Sequence, residues 1–426
     1  MRTPRLARPS AASILLLALI LAPAAQAGEW QGQEVTDLDG VLHMENPAAP
    51  LNGHTTVDLV EQWRLGGADG DEIFGVITKV LTDDEGNLYV LDSQLSEISV
   101  YDPQGNLLRT MGREGEGPGE FRMAQDMFFL DDGRIAVLQV FPGRIPTLTK
   151  DGEPGEDYPI PTADGGGQAI LRQGGGSLGG PVAISLGLNN FDQATGSFTQ
   201  NRMIVIAQDG EILHTLHSEP RSIQFGGAVV MKEKQWDSFD RVWGVTPDHR
   251  IYANVGWDDY SLKIWNDQGE LERIIERDYE SRPRTSEEIA ERKGIFEQMT
   301  ARQMPGSPPT WEMESVDKDF EGIYPRQDGS IWILTSRGRS ENPEGSLGTF
   351  DIFDPRGRFL KQVTLMGEGD PQDDSYFFAG DRVFVVTDLL AAAMAAQGVA
   401  MEDEEEEPEP MSIICYRLGD FDVGMR

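Results

Sequence analysis

Residues 75–121 read GVITKVLTDDEGNLYVLDSQLSEISVYDPQGNLLRTMGREGEGPGEF. Four short runs rich in Val, Ile, Leu and Tyr are separated there by turn signals, Asp84-Glu85-Gly86-Asn87 and Asp102-Pro103-Gln104-Gly105 among them. The glycines supply the positive φ that tight hairpins demand, and Pro103 presets the φ of its turn. Four such runs, A to D, predict one antiparallel meander.

The unit repeats. The A-to-B turn with its apolar B strand recurs as DDGRIAVL from Asp131, PDHRIYAN from Pro247, QDGSIWIL from Gln327 and AGDRVFVV from Ala379. A degenerate copy is read at Gly174 to Gly176. The C-to-D turn recurs as KDGE from Lys150, QDGE from Gln208, NDQGE from Asn266 and DPRGR from Asp354. One more A-to-B turn is present than C-to-D turns, because the last C strand, Ser412 to Leu418, runs into the chain end. At the other end, LVEQWRLGGADGDEIFG from Leu59 aligns with LLRTMGREGEGPGEFR from Leu107, a spare D strand with its exit loop. Pairing the spare strand with the incomplete unit closes a ring and removes an exposed sheet edge. Residues near Val60 to Leu65 are therefore expected beside Ser412 to Leu418.

Gly112 to Phe121, GREGEGPGEF, together with the Asp-Gly turn motif and the Ile-x-Val-Phe/Tyr-Asp run, resembles NHL-type repeats. More closely, the chain is similar to secreted bacterial six-bladed β-propellers of uncharacterised function. The resemblance implies an all-β, six-bladed β-propeller with an N-terminal strand closing the last blade and short helical insertions on one face. It spans nearly the whole chain after residue 27 and is most specific in the first unit. Such families hold both binding scaffolds and enzymes, so the fold leaves function open.

The first 27 residues read as an address. Arg2, Arg5 and Arg8 precede an apolar run from Ile14 to Leu21, and Ala25-Gln26-Ala27 is a small-residue cleavage site. This predicts a signal peptide cut after Ala27 and a secreted or periplasmic protein without a membrane anchor, since the run is shorter than the roughly 20 residues a spanning helix needs. The remaining boundaries are an extension over 28–54, the propeller over 55–420 and a tail over 421–426.

With 36 Lys and Arg against 72 Asp and Glu, the net charge of −36 repels nucleic-acid phosphate and anionic lipid, so neither is an expected partner. The single cysteine, Cys415, forms no intrachain disulfide. The chain is expected to be a monomer.

Insertions accumulate on the B-to-C and D-to-A side: Leu188 to Thr199, Glu219 to Phe239, Glu276 to Asp319, Ser336 to Leu347 and Asp388 to Met411. Tolerated drift explains such lengths equally simply, but long loops on a rigid scaffold commonly carry recognition. Thr285-Ser286-Glu287-Glu288 is a capping box, predicting a helix over 285–301 docked by Ile289, Phe296 and Met299. The alanine-rich stretch from Asp388 ends in Glu402-Asp403-Glu404-Glu405-Glu406-Glu407, expected to be solvated.

Chemistry is sparse. His43, His54, His214, His217 and His249 are scattered, which argues against a zinc centre or a histidine-based triad. Asn189, Asn190, Asp258 and Asp259 fall on the long-loop face and are the candidate calcium ligands; calcium is the one cofactor the residues leave open, and none is required. Trp236, Trp257 and Tyr260 lie in or beside the same loops, with Arg113, Arg337 and Arg339 as counter-charges, and together with Asp258 and Asp259 they form the candidate binding set. Trp, Tyr and Arg combine apolar area with directed polar groups, although ordinary loop packing uses them too. The leading expectation is a binding protein for a peptide, glycan or protein partner without turnover. The alternative is a calcium-dependent, lactonase-like hydrolase or lyase at the central channel.

Overall fold

The computed structural model describes residues 29–419, apart from 69, 71, 162–167, 193, 225–228, 237–241, 304–307, 390 and 393–409. The expected signal peptide, most of the alanine-rich stretch, the acidic run and the tail over 421–426 lie outside the described residues.

Six antiparallel sheets form a ring. Their innermost strands are Ile77–Thr82, Ala124–Phe129, Gln168–Ser177, Trp243–Val245, Phe320–Pro325 and Ser375–Ala379. Those of blades 6, 1, 2, 3 and 4 touch in turn around the centre. Because each sheet is sandwiched between two others, both of its faces are buried, and the B strands of blades 1, 2 and 5 are continuous apolar runs closed by one polar residue rather than alternating. Leu88–Asp92 (LYVLD), Ile135–Gln139 (IAVLQ) and Ile331–Thr335 (IWILT) are buried at every residue. The core is a ring of inter-blade layers: Tyr89 and Val100 of blade 1 pack with Met127 and Val137 of blade 2, and Phe128 and Leu138 pack with Ile184 and Val205 of blade 3. Trp243, Trp265 and Trp332 are buried in these layers.

Several hairpin turns share one chemistry. Asp83 Oδ1 accepts the amides of Glu85 at 3.0 Å and Asn87 at 2.9 Å, with Gly86 at φ 80°. Asp102 does the same for Gln104 and Asn106, and Asp354 for Arg356 and Arg358, so the side chain satisfies amides that the reversal leaves unpaired. In blade 3 the turn lies at Leu178 to Pro181, not at Gly174 to Gly176. Those glycines sit inside the innermost strand. A Cβ on Gly174 would come within 2.4 Å of Phe128, and one on Gly175 within 2.5 Å of Trp243.

The N-terminus wraps the rim. Strands β1 (Gln33–Thr36) and β2 (Leu42–Asn46) add to the outer edge of blade 4, with β2 parallel to Leu271–Arg277. Strand β3 (His54–Asp58) adds in parallel to Phe359–Met366 of blade 5. Strand β4 (Val60–Gly66) then pairs antiparallel with Ser412–Arg417, matching Ile413 to Leu65 and Cys415 to Trp63, and completes blade 6 as expected. Buried Asn46 fastens the wrap: its Nδ2 donates to Glu276 O and Gly357 O at 3.0 and 2.9 Å, and its Oδ1 accepts Phe359 N at 2.7 Å.

Candidate functional site

The inner strands begin on the long-loop face, so residues early in them, together with the B-to-C and D-to-A loops, meet at that end of the channel. They enclose a cavity of about 770 Å³. Thr78, Lys79, Gln125, Asp126, Arg172, Gln173 and Glu321 come from the inner strands. Gln94, Arg339, Pro371, Asp374 and Leu389 come from the loops, and Trp243, Tyr252, Tyr324, Tyr376 and Phe378 give it an aromatic lining.

The charges of this mouth are engaged with the protein itself. Lys79 Nζ lies 2.9 Å from Asp126 Oδ1, while Asp126 Oδ2 accepts Gly174 N at 2.9 Å. Arg339 is presented by a short helix, α3 (Ser336–Ser340), whose N-terminus is capped by Thr335 Oγ1 accepting Gly338 N at 2.9 Å. Gly338 is required there, because a Cβ would stand 2.1 Å from Thr349 O. The turn sends Arg337 out to Glu280 O and Glu341, and turns Arg339 toward the mouth, where it pairs with Glu321 at 2.9 Å and donates to Pro371 O and Gln372 O.

Asp374 accepts Asp370 N at 2.7 Å and Asp388 N at 3.0 Å, joining the loop before blade 6 to the insertion that follows its B strand. Burial, together with the Asp388 and Asp370 carboxylates, pushes its carboxyl up to about 7 despite those amides. Asp319, buried at the start of blade 5, is pushed up to about 6, chiefly by burial and further by Asp258 and Asp259.

Of the residues expected from sequence to form a site, Arg339 lines the cavity. Arg113 is 80% exposed at its side chain and pairs with Glu120 on the rim. Trp257 is only 4% exposed and donates to Val316 O at 3.0 Å, and Tyr260, 6% exposed, donates to Asp351 Oδ2 at 2.8 Å. Asp258 and Asp259 are exposed beside them, with Asp258 bound to Lys234 at 2.7 Å. Asn189 and Asn190 lie in Val182–Asp192, so this insertion is a continuation of the blade 3 hairpin rather than a loop; Asn189 Oδ1 accepts Gln200 Nε2 at 2.6 Å. Among the described residues, no group of three or more His, Cys, Asp or Glu is arranged to hold a metal ion. Lys79, Asp126 and Asp374 were not among the residues singled out from sequence. For Lys79 and Asp126 the signal was a charged residue inside an innermost strand, as in ITKVLT and AQDMFF, whereas Asp374 lies in the loop just before Ser375–Ala379.

Two insertions fuse into a cap on the same face. Val230–Lys232 and Thr310–Glu312 pair in parallel, next to helices α1 (Glu233–Trp236) and α2 (Ser286–Gln303). The capping box forms as expected: Thr285 N donates to Glu288 Oε2 at 2.7 Å and Glu288 N to Thr285 Oγ1 at 3.2 Å. Phe296 stacks on Trp311 at 4.6 Å, and Trp236 meets Trp311 edge-on at 5.5 Å. Beneath them Glu233 is fully buried, receiving both oxygens' worth of contact from Arg284 at 2.9 and 2.8 Å, a further contact from Arg292, and Glu314 N at 2.9 Å.

Residues 69–147 match the model of a family described as 6-bladed beta-propeller. No curated protein matches the chain in sequence. Among solved structures, the chain is similar to a protein from Bacteroides fragilis named as exported, with 12% identity, 86% of this chain and 100% of that one covered, and a TM-score of 0.43. It is similar to the calcium-binding protein regucalcin from Agrobacterium tumefaciens, with 11% identity, coverage of 86% and 98%, and a TM-score of 0.40. Virginiamycin B lyase from Staphylococcus aureus shows 10% identity, coverage of 84% and 100%, and a TM-score of 0.40. Among the described residues, no helix is long and apolar enough to cross a membrane. The ring of six blades and the matched family model together make this chain a six-bladed β-propeller.

Proposed function

We propose that this is a secreted or periplasmic binding protein of NHL-like type that recognises a peptide, glycan or protein partner on its long-loop face, without turnover. The observation that carries this reading is the cavity at the channel mouth. Its ion pairs, Lys79 with Asp126 and Arg339 with Glu321, are held in fixed geometry by backbone groups. Such a surface is preorganised, and preorganisation lowers the entropy lost on binding. Exposed Arg113, Asp258 and Asp259 and the half-buried Arg337 extend the recognition surface outward, while Trp236, Trp257 and Tyr260 set its shape from beneath.

The alternative, a calcium-dependent hydrolase or lyase, draws support from Asp374, whose carboxyl near 7 suits proton transfer at neutral pH. Calcium needs six to eight oxygens, and here Asp126 and Glu321 would first have to leave Lys79 and Arg339. The protein purified from its native compartment, with mass spectrometry of co-eluting molecules, separates the readings. Arg339→Ala is expected to reduce capture at least tenfold, and dialysis against a chelator is expected to leave it unchanged. Turnover that chelator abolishes, calcium restores and Asp374→Asn removes would replace the binding assignment with the enzymatic one.

A further inference from the structure

The cap and α3 border the mouth on the side of blades 3 to 5, whereas at blades 1 and 2 the B-to-C connections are short turns at Ser93 to Ser96 and Val140 to Gly143. On the side of blades 1 and 2 four large apolar side chains, Ile73, Leu95, Met123 and Phe141, are exposed, Ile73 by 84% and Met123 by 58%. They lie on adjoining segments. Met123 itself lines the cavity, as does Gln94 next to Leu95. Val140 N donates to Met123 O at 3.3 Å, which brings Phe141 beside it. Gly75 packs so closely on Gln94 that a Cβ would stand 2.8 Å away, which holds the Ile73 segment against the Leu95 turn. Isolated exposed apolar residues need no explanation, but a cluster continuous with a cavity marks an interaction site.

Inside the mouth, three cations, Lys79, Arg172 and Arg339, face three carboxylates, Asp126, Glu321 and Asp374. The two ion pairs are closed, Arg172 has partners of its own, and Asp374 accepts two amides. A charged ligand group would lose its water without meeting a free counter-charge, and that desolvation is unfavourable. An uncharged polar group loses far less on leaving water, and it can recover that loss through single hydrogen bonds to groups of the mouth.

We propose that the mouth takes an uncharged amphipathic small molecule, its polar head in the cavity and its apolar tail laid over Met123, Leu95, Ile73 and Phe141. The inference rests on the mouth being a ligand site and adds the chemical class and the direction of entry. Calorimetric titration of the full chain with octyl β-glucoside below its micelle concentration, methyl β-glucoside and octyl sulfate tests it. The octyl glucoside is expected to bind at least tenfold tighter than the methyl compound and at least tenfold tighter than octyl sulfate. Met123→Glu and Leu95→Glu, both exposed positions, are expected to weaken octyl glucoside at least tenfold while leaving the thermal midpoint in place. Octyl binding no tighter than methyl, octyl sulfate binding equally well, or indifference to both substitutions overturns the inference. So does an absence of binding by either glucoside. In each of those cases the broader reading of the mouth stands or falls separately, on native-ligand capture by Arg339→Ala.

Discussion

His249 shows how strictly the turns are specified. In blade 4 the amide of His249 bonds Thr246 O at 3.0 Å, as Gly86 bonds Asp83 O at 3.0 Å in blade 1. The backbone is left-handed in both, but His249, at φ 63°, carries a Cβ where the other turn has glycine. A non-glycine residue there is strained by roughly 1 kcal/mol, partly offset by the greater freedom of glycine in the unfolded chain. His249→Gly is therefore expected to stabilise the protein by about 0.5 kcal/mol, read as a higher midpoint in denaturant unfolding with unchanged slope. Asp374 and Asp319 predict a pH response. Their folded carboxyls, near 7 and 6, lie above the 3.8 of an ordinary Asp, so the folded state holds these protons more tightly than the unfolded state. Their contribution to stability is fully present below pH 3.8 and is lost as pH rises through 6 and 7. In a pH series of unfolding curves, Asp374→Asn should flatten the decline between pH 4 and 7. An identical slope in the variant would refute the assignment.

At the scale of elements, the cap depends on a buried charge. Glu233 has no exposed surface, and Arg284, 4% exposed at its side chain, is held by it and by Asp317. Removing one member of a buried pair leaves the other uncompensated, at about 3–5 kcal/mol. Glu233→Ala should thus speed amide exchange across Ser286–Gln303 and Val230–Lys232 while the blade cores stay protected. Uniform protection in the variant would mean that apolar packing of Phe296 on Trp311 suffices alone. The hairpins were legible in sequence because local chemistry makes them: in most an Asp, Asn or Thr at or near the turn's start and a glycine at positive φ, followed by an apolar B strand. The capping box of α2 was legible for the same reason. Gly174 to Gly176 misled because glycine serves two purposes, and there it admits Phe128 and Trp243 rather than turning the chain. The long hairpin Val182–Asp192 with Ser197–Gln208 carries Asn189 and Asn190 as ordinary ladder residues, and polar composition alone read as loop. The mouth was least legible. Lys79 and Asp126 are separated by 47 positions' worth of chain and become partners only when two blades meet, so no local pattern announces them.

At the scale of the molecule, closure rests on one strand supplied from far away in sequence. Without β4, Ser412–Arg417 would be an edge strand whose buried residues Ile413 to Tyr416 lose their outer neighbour, and its free amides and carbonyls would invite pairing with another chain. The wrap formed by β1 to β3 adds a second hold, since Asn46 bonds across from blade 4 to blade 5 and β3 runs along Phe359–Met366. These two holds are separable. Deleting residues 28–58 removes β1 to β3 but leaves β4, so the ring should stay closed, with the thermal midpoint falling by only a few degrees. Deleting 28–72 also removes β4 and opens blade 6, where the midpoint should fall at least twice as far as after the shorter deletion and soluble yield should drop, since each kcal/mol lost shifts the midpoint by about 1 °C in a chain of this length. Equal effects from the two deletions would show that the rim wrap, not the strand exchange, holds the ring. An unchanged midpoint after the longer deletion would contradict closure by β4.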